Sequence, residues 1–228
     1  MKEVPVGISI GILLTNPDRS AARLEFPNDG EQVRTLLAAE RPEYIQRVYD
    51  CVAGELPESP NAHDGYVITG SPASVNEGSK WVADLLEFLR ALDAVRRPTV
   101  GLCFGHQAIV SALGGSVTQG SWDFGVTQLD FTSSQEWMTP AHNSLQLYSA
   151  HHEQVTKLPD GFSVIGGNEF CPNASLLKGT HIFTTQYHPE MTPDFMMTLT
   201  DWLKDDLGAD AISKARRDIG GDTQGPVF

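Results

Sequence analysis

A cysteine between two glycines is the first feature of this sequence that could do chemistry. Cys103 lies in Gly-Leu-Cys-Phe-Gly, residues 101–105, after the apolar run "PTV" and before the helical pattern "HQAIVSALGG". This is the spacing of the G-x-S-x-G turn, which presents a nucleophile between a strand and a helix, with sulfur in place of the hydroxyl. A strained turn leaves no room for neighbouring side chains, hence the glycines. The pattern predicts a nucleophile whose thiolate is favoured by the following helix N-terminus.

The alternative for Cys103 is a small core residue whose flanking glycines only relieve packing. Its position between a strand pattern and a helix pattern favours the nucleophile. Cys51 lies in a strand-like run and Cys171 precedes a proline in a predicted loop, so both are interpreted as structural. The three cysteines are far apart and lack C-x-x-C spacing, which indicates neither a disulfide framework nor a zinc site.

A proton acceptor for this thiol is predicted in "TTQYHPEM". His188 ends an apolar strand pattern, and Glu190 follows two residues later. In an extended segment both side chains leave the same face, so the carboxylate can hold one ring nitrogen while the other faces the sulfur. An imidazole held in this way accepts a proton near neutral pH and returns it to the leaving group.

The adjacent histidines in "YSAHHEQV" could suggest metal ligands. His151 and His152 would point to opposite faces of a strand, and no third ligand is spaced nearby. A solvated or substrate-lining role is therefore preferred, and neither a metal nor a cofactor is predicted.

The elements that must position these residues alternate between strand and helix in the first half of the chain. This alternation predicts an α/β fold with a mainly parallel central sheet flanked by helices. Residues 79–97 carry the strongest helical pattern, and "TPDF" has the capping residues of a last helix that ends at Gly208. The second half is richer in strand patterns, so some antiparallel strands are expected there. One domain over residues 1–208 and a loosely attached polar C-terminal tail over 209–228 are predicted.

Composition argues against several classes of partner. The 228 residues include 29 acidic and 16 basic side chains, for a formal net charge of −13. Nucleic acids are not expected as partners, because their binding depends on Lys and Arg neutralising phosphates. No apolar run reaches the roughly 20 residues that span a bilayer, so no membrane association is expected. Reduced thiols and a cytoplasmic location are predicted.

Four motifs taken together, "ITGSPASV", "GLCFGHQ", "SAHHEQV" and "YHPE", resemble those of the class I glutamine amidotransferase family. The likeness covers roughly residues 6 to 205 and is greatest to stand-alone proteins similar to the amidotransferase domain of GMP synthase. The resemblance implies a flavodoxin-like fold and a Cys-His-Glu triad, which Cys103, His188 and Glu190 match.

The resemblance also implies an oxyanion hole and a substrate pocket. The backbone N–H groups of Ser71 and Phe104 match the family's oxyanion donors. Ser71 stands where the family often has glycine, so a positive φ there would carry a steric penalty. In the segment resembling Ser-His-Gly-Asp-x-Val, Ala150, His152 and Glu153 replace Ser, Gly and Asp, which bears on the identity of the γ-glutamyl substrate. The residues matched to substrate contacts are Gly70, Gln107, Ala150, His151 and His152.

The activity implied by the resemblance is hydrolysis of the side-chain amide of glutamine, or of another γ-glutamyl small molecule, through a cysteine thioester. Glutamine would yield glutamate and ammonia. Because the sequence has no P-loop pattern, a separate synthase subunit could receive the ammonia. The alternatives are a free-standing γ-glutamyl peptidase acting on glutathione-like compounds and a non-catalytic regulatory scaffold.

Overall fold

Nine strands form one sheet in the part of the chain that the computed structural model describes, residues 7–221 and 223–225. Residue 6, where the family resemblance begins, and residues 222 and 226–228 of the predicted tail lie outside the described residues. The strands are β1 (Ser9–Leu14), β2 (Ile45–Asp50), β3 (Gly65–Ile68), β4 (Thr99–Leu102), β5 (Ser116–Phe131), β6 (Ser144–Lys157), β7 (Phe162–Gly167), β8 (Ser175–Lys178) and β9 (Ile182–Thr185).

The sheet has a parallel half and an antiparallel half, in the order β2-β1-β3-β4-β9-β8-β7-β5-β6. The strands from β2 to β9 pair in parallel, and those from β9 to β6 pair antiparallel. The predicted α/β fold is therefore confirmed, with its antiparallel strands in the second half. The antiparallel part includes the two longest strands, β5 and β6.

Six helices flank the sheet within the described residues. As predicted from its apolar spacing, α2 buries one stripe that includes Leu85 and Leu92. Thr192 caps α4, its hydroxyl accepting a hydrogen bond from the N–H of Phe195. No helix among these is long and apolar enough to cross a membrane. The helices are α1 (Asp29–Glu40), α2 (Lys80–Ala94), α3 (Phe104–Ala112), α4 (Pro193–Trp202), α5 (Lys204–Leu207) and α6 (Ala209–Asp218).

The parallel strands bring the predicted site together at their carboxyl ends. Crevices at this edge are the usual place for ligands in open α/β sheets. Strands β3, β4 and β9 are neighbours, so the segments that follow them, 69–72, 103–107 and 186–190, leave the sheet side by side. The backbone N–H of Cys103 donates to the carbonyl of Thr185 over 2.8 Å, which extends this pairing one residue past β4.

The segment after residue 208 is not a loose tail, which corrects that expectation. Helix α6 packs on β5, and its Ala215 and the following Ile219 are buried. The hydroxyl of Tyr148 on β6 donates to the carbonyl of Ile219 over 3.1 Å. Ala215 and Ile219 are four residues apart and therefore lie on the same side of this segment. The polar residues around them hide that spacing in the sequence.

Candidate active site

Cys103 occupies a strained turn between β4 and α3. Its φ of 47° and ψ of −103° are unusual for a residue with a side chain. The flanking glycines permit the turn. A Cβ at Gly101 would lie 2.6 Å from the carbonyl oxygen of Gly105, and a Cβ at Gly105 would overlap the carbonyl oxygen of Ile68. Such a turn presents the sulfur at the end of the strand, as the motif predicts.

The sulfur of Cys103 lies in a cleft, although only 5% of the residue is exposed. Because α3 begins at Phe104, the sulfur sits at a helix N-terminus, where the dipole favours negative charge. The side-chain amide of Gln186 donates to the sulfur over 3.4 Å. Both interactions stabilise a thiolate.

His188 and Glu190 form a buried pair beside this sulfur. The imidazole Nδ1 and the carboxylate Oε1 are 2.7 Å apart, and the two residues are 3% and 6% exposed. The N–H of His188 donates to the carbonyl of Tyr148 over 2.9 Å, which anchors the histidine backbone to β6. The contact with Glu190 at Nδ1 leaves Nε2 to face the thiol.

The charge state of His188 follows from its partners. Burial alone would lower the pKa of this imidazole, but the negative charges of Glu190 and Cys103, and hydrogen bonds to both, outweigh it. The pKa of His188 is therefore raised well above its ordinary value. The protonated imidazole is the form that pairs with a thiolate and that can later protonate a leaving group.

Gly70, which follows β3, lies against both His188 and Cys103. A Cβ at this position would lie 2.8 Å from Cε1 of His188 and 3.7 Å from Cβ of Cys103. The backbone of Gly70 thus approaches both residues where any side chain would collide with the imidazole.

The Gly70–Ser71 peptide is oriented by two threonines. The hydroxyls of Thr15 and Thr69 donate to the carbonyl of Gly70 over 3.0 and 3.1 Å. A trans peptide directs its N–H opposite to its C=O, so the N–H of Ser71 is directed away from these hydroxyls. Ser71 is not among the described residues with positive φ, so the peptide in its observed orientation carries no steric penalty at Ser71. Its hydroxyl instead donates to the carbonyl of Thr15 over 2.8 Å.

Gln107 lines the cleft one turn into α3. Its amide nitrogen donates to the carbonyl of Glu153 over 2.8 Å and to the side chain of Gln186 over 3.2 Å. The carboxylate of Glu153 accepts a hydrogen bond from the hydroxyl of Ser74 over 2.8 Å. These bonds join α3, β6 and the loop after β3 around the cleft.

The two adjacent histidines of β6 have different surroundings. His151 is buried, with Nδ1 3.1 Å from the carbonyl of Glu153 and Nε2 3.6 Å from Asp123. His152 is partly exposed, and its ring lies 4.6 Å from that of Trp122. Both residues, and Ala150, line the cleft. No group of side chains suited to a metal ion occurs among the described residues.

The other two cysteines differ from Cys103 in their surroundings. Burial, with smaller contributions from nearby acidic groups, raises the pKa of Cys51 and of Cys171 to about 12. Both thiols are buried and free of disulfide bonds. Neither can supply a thiolate near neutral pH.

Gln186 was missed by the sequence analysis. It is fully buried and contacts both Cys103 and Gln107. The available signal was its position two residues before His188, because residues two apart in an extended segment share a face.

The family assignment follows from comparison with known proteins. Residues 44–200 match the family model described as "Glutamine amidotransferase class-I". The chain belongs to the class I glutamine amidotransferase family. The three residues proposed as its triad all lie within the matched region.

Known relatives of this amidotransferase-family chain include two kinds of enzyme. It is 26% identical over 166 residues to gamma-glutamyl peptidase 3 of Arabidopsis thaliana, covering 68% of this chain and 66% of that protein. It is 31% identical over 176 residues to the glutamine-hydrolyzing GMP synthase of Neisseria meningitidis, covering 69% of this chain and 33% of that protein. The chain therefore spans about two thirds of one relative and a third of the other.

The fold of this family member is also that of a solved amidotransferase. A crystal structure of a glutamine amidotransferase from Thermotoga maritima superposes with a TM-score of 0.73 at 17% identity, covering 93% of this chain and 92% of that one. Identity this low shows the fold alone.

Proposed function

We propose that the protein hydrolyses the side-chain amide of glutamine, or of a related γ-glutamyl compound, by way of a thioester on Cys103. The observation that carries this proposal is the thiol at a strained strand-to-helix turn, in one cleft with the buried His188–Glu190 pair. Family membership and glutamine-hydrolysing relatives support it.

In the first step the Cys103 thiolate attacks the amide carbonyl carbon. The carbonyl electron pair moves to oxygen, and the tetrahedral oxyanion accepts hydrogen bonds from the N–H groups of Ser71 and Phe104. Within the described residues, neither N–H donates to another protein atom. Fixed donors aimed at a developing oxyanion each contribute on the order of 100-fold or more in rate.

The second half of the reaction depends on His188. The imidazolium gives its proton to the amide nitrogen, the C–N bond breaks, and the amine leaves as the thioester forms. Water then attacks the thioester carbonyl and transfers a proton to His188. The thiolate departs and is again paired with the imidazolium, and glutamate is released. Glu190 holds the ring and stabilises its positive charge throughout.

The proposal is tested by Cys103→Ala. Because the nucleophile is lost, glutaminase activity should fall by at least about 10⁴-fold, while the melting temperature changes little. Cys51→Ala is the matched control and should retain activity. A diazoketone analogue of glutamine should label the wild type at Cys103, as read by peptide mapping, and should not label Cys51 or Cys171. Absence of both glutamine turnover and a Cys103 adduct would support the non-catalytic scaffold instead.

Similarity to gamma-glutamyl peptidase 3 supports a second candidate, cleavage of glutathione-like compounds by the free-standing protein. The same triad would serve, with an amino acid or peptide as the leaving amine. Release of cysteinylglycine from glutathione at rates well above glutamine turnover would favour this alternative.

A synthase partner is the corresponding proposal for the amidotransferase activity. The GMP synthase that resembles this chain is three times longer than the shared region, and its name includes glutamine hydrolysis. We propose that a separate synthase subunit receives the ammonia. Its addition should stimulate glutaminase activity.

The free cysteines are consistent with the proposed cytoplasmic location.

A further inference from the structure

The cleft that contains Cys103 is larger than free glutamine requires. Its volume is about 760 Å³. Pockets of roughly 300–1,000 Å³ accommodate drug-sized ligands. Space therefore remains beyond the reacting carbon, and the lining of this space bears on the nature of the leaving amine.

The side of the cleft next to the general acid is apolar. His188 protonates the leaving nitrogen in the proposed mechanism, so the rest of the amine must lie on the His188 side. The chain continues from Glu190 into Met191 and α4 on that side. Five residues of this segment line the cleft and are called the apolar wall: Met191, Phe195, Leu199, Trp202 and Leu203.

The one arginine among the residues lining the cleft is paired with a carboxylate. Arg23 is 4% exposed and donates to the carboxylate of Asp29 and to the carbonyl of Pro27, each over 2.8 Å. Its guanidinium also lies 5.0 Å from the centre of the Phe195 ring. Its positive charge is therefore compensated by Asp29 and is not directed to a ligand.

Apart from the Arg23–Asp29 pair and the imidazolium of His188, the charged residues of the lining are acidic. Asp18, Glu77 and Glu153 face the same cleft, and the whole chain carries a formal net charge of −13. A leaving amine that bears a carboxylate, such as cysteinylglycine, would meet like charges there. An uncharged apolar amine would instead bury its surface against the wall.

We propose that the apolar wall is a subsite for the leaving amine, and that the preferred substrates are γ-glutamyl amides of uncharged, apolar amines such as aromatic amines. This inference rests on the proposed function. The C–N bond breaks as before, His188 supplies the proton, and the neutral aromatic amine departs along α4 in place of ammonia. Glutamine fills only the γ-glutamyl part of the cleft.

The test compares three substrates of the intact protein: γ-glutamyl-β-naphthylamide, glutathione and glutamine. We expect kcat/KM for the naphthylamide to exceed that for glutathione by at least about tenfold. Trp202→Ala should lower kcat/KM for the naphthylamide about tenfold, mainly through KM, and should change that for glutamine less than threefold. The matched control is Trp137→Ala. Trp137 is 53% exposed and lies outside this cleft, so its removal should affect neither substrate.

A second variant covers the case in which Trp202→Ala does not fold. Leu199→Lys places a cation on the apolar wall, so it should lower kcat/KM for the naphthylamide and raise it for glutathione. Calorimetric binding to Cys103→Ala gives a readout without turnover, and the naphthylamide should bind more tightly than glutathione.

The outcomes separate the two proposals. Turnover of glutamine with the naphthylamide no better than glutathione would overturn the subsite and leave the proposed function standing. A proportional loss for all substrates in Trp202→Ala, with Leu199→Lys failing to change their ranking, would also overturn the subsite. Absence of turnover on every substrate, with no adduct on Cys103, would overturn both.

Discussion

Glu190 determines the charge state of the imidazole beside Cys103. Its carboxylate stabilises the imidazolium of His188 from 2.7 Å, in a place where burial alone would favour the neutral ring. The pKa of His188 is raised, so the imidazolium persists to higher pH than for an ordinary histidine. In a thiolate–imidazolium mechanism, the rate then falls only as pH rises through this higher pKa.

Glu190→Gln tests this role. Removing the carboxylate charge lowers the pKa of His188, so the alkaline limb of the kcat/KM profile should move to lower pH. The rate at its optimum should fall on the order of 100-fold. Asp93→Asn is the control. Asp93 forms a comparable carboxylate–imidazole pair with His181, with 2.9 Å between Oδ1 and Nε2, and this pair lies outside the cleft. An unchanged alkaline limb in Glu190→Gln would show that another group titrates there.

At the scale of the element, the turn between β4 and α3 depends on close backbone contact. Gly105→Ala would force a methyl group onto the carbonyl oxygen of Ile68, so β3 and α3 would have to separate. The free energy of unfolding should fall by about 3 kcal/mol, and activity should fall with it. Gly120→Ala is the control, because the nearest atom to its Cβ would be 3.9 Å away. Denaturant unfolding of both variants checks the difference, and equal stability would contradict this account of the turn.

The start of α4 depends on one hydroxyl. The hydroxyl of Thr192 accepts a hydrogen bond from the N–H of Phe195, whereas the hydroxyl of Ser79 at the start of α2 makes no such capping bond. Thr192→Ala should therefore reduce the free energy of unfolding by about 1 kcal/mol, and Ser79→Ala by much less. Thermal melts of the pair measure the difference. A larger loss in Ser79→Ala would refute the capping assignment.

At the scale of the whole molecule, α6 and the following Ile219 pack against β5 and β6, and β6 anchors the backbone of His188. Ile219 is buried next to Tyr148, and the carbonyl of Tyr148 holds the backbone of His188. Ile219→Ala should reduce the free energy of unfolding by about 3 kcal/mol, because the cavity it leaves is enclosed. Ile212→Ala, at a partly exposed position within α6, should cost less. Chemical denaturation tests both. A loss in Ile219→Ala no greater than in Ile212→Ala would mean that α6 is only weakly attached.

Local patterns were sufficient to predict much of this protein. The glycine spacing around Cys103 predicts a strained turn, since only residues without a Cβ fit there, and the structure has that turn. The i, i+2 spacing of His188 and Glu190 predicts a carboxylate within reach of the ring, and the two lie 2.7 Å apart. Periodicity also predicted α2 and the strand-to-helix alternation of the parallel half, because both depend on residues close in sequence.

The tertiary structure decided what depends on contacts between distant segments. The hydrogen bonds that orient the Gly70–Ser71 peptide come from Thr15 and Thr69, and no spacing pattern links Thr15 to this loop. The attachment of α6, the position of Gln186 against the sulfur and the apolar wall along α4 likewise depend on which strands become neighbours. Strand order is set by burial over the whole molecule, so a sequence read in local windows predicts the groups proposed to react but not the cleft around them.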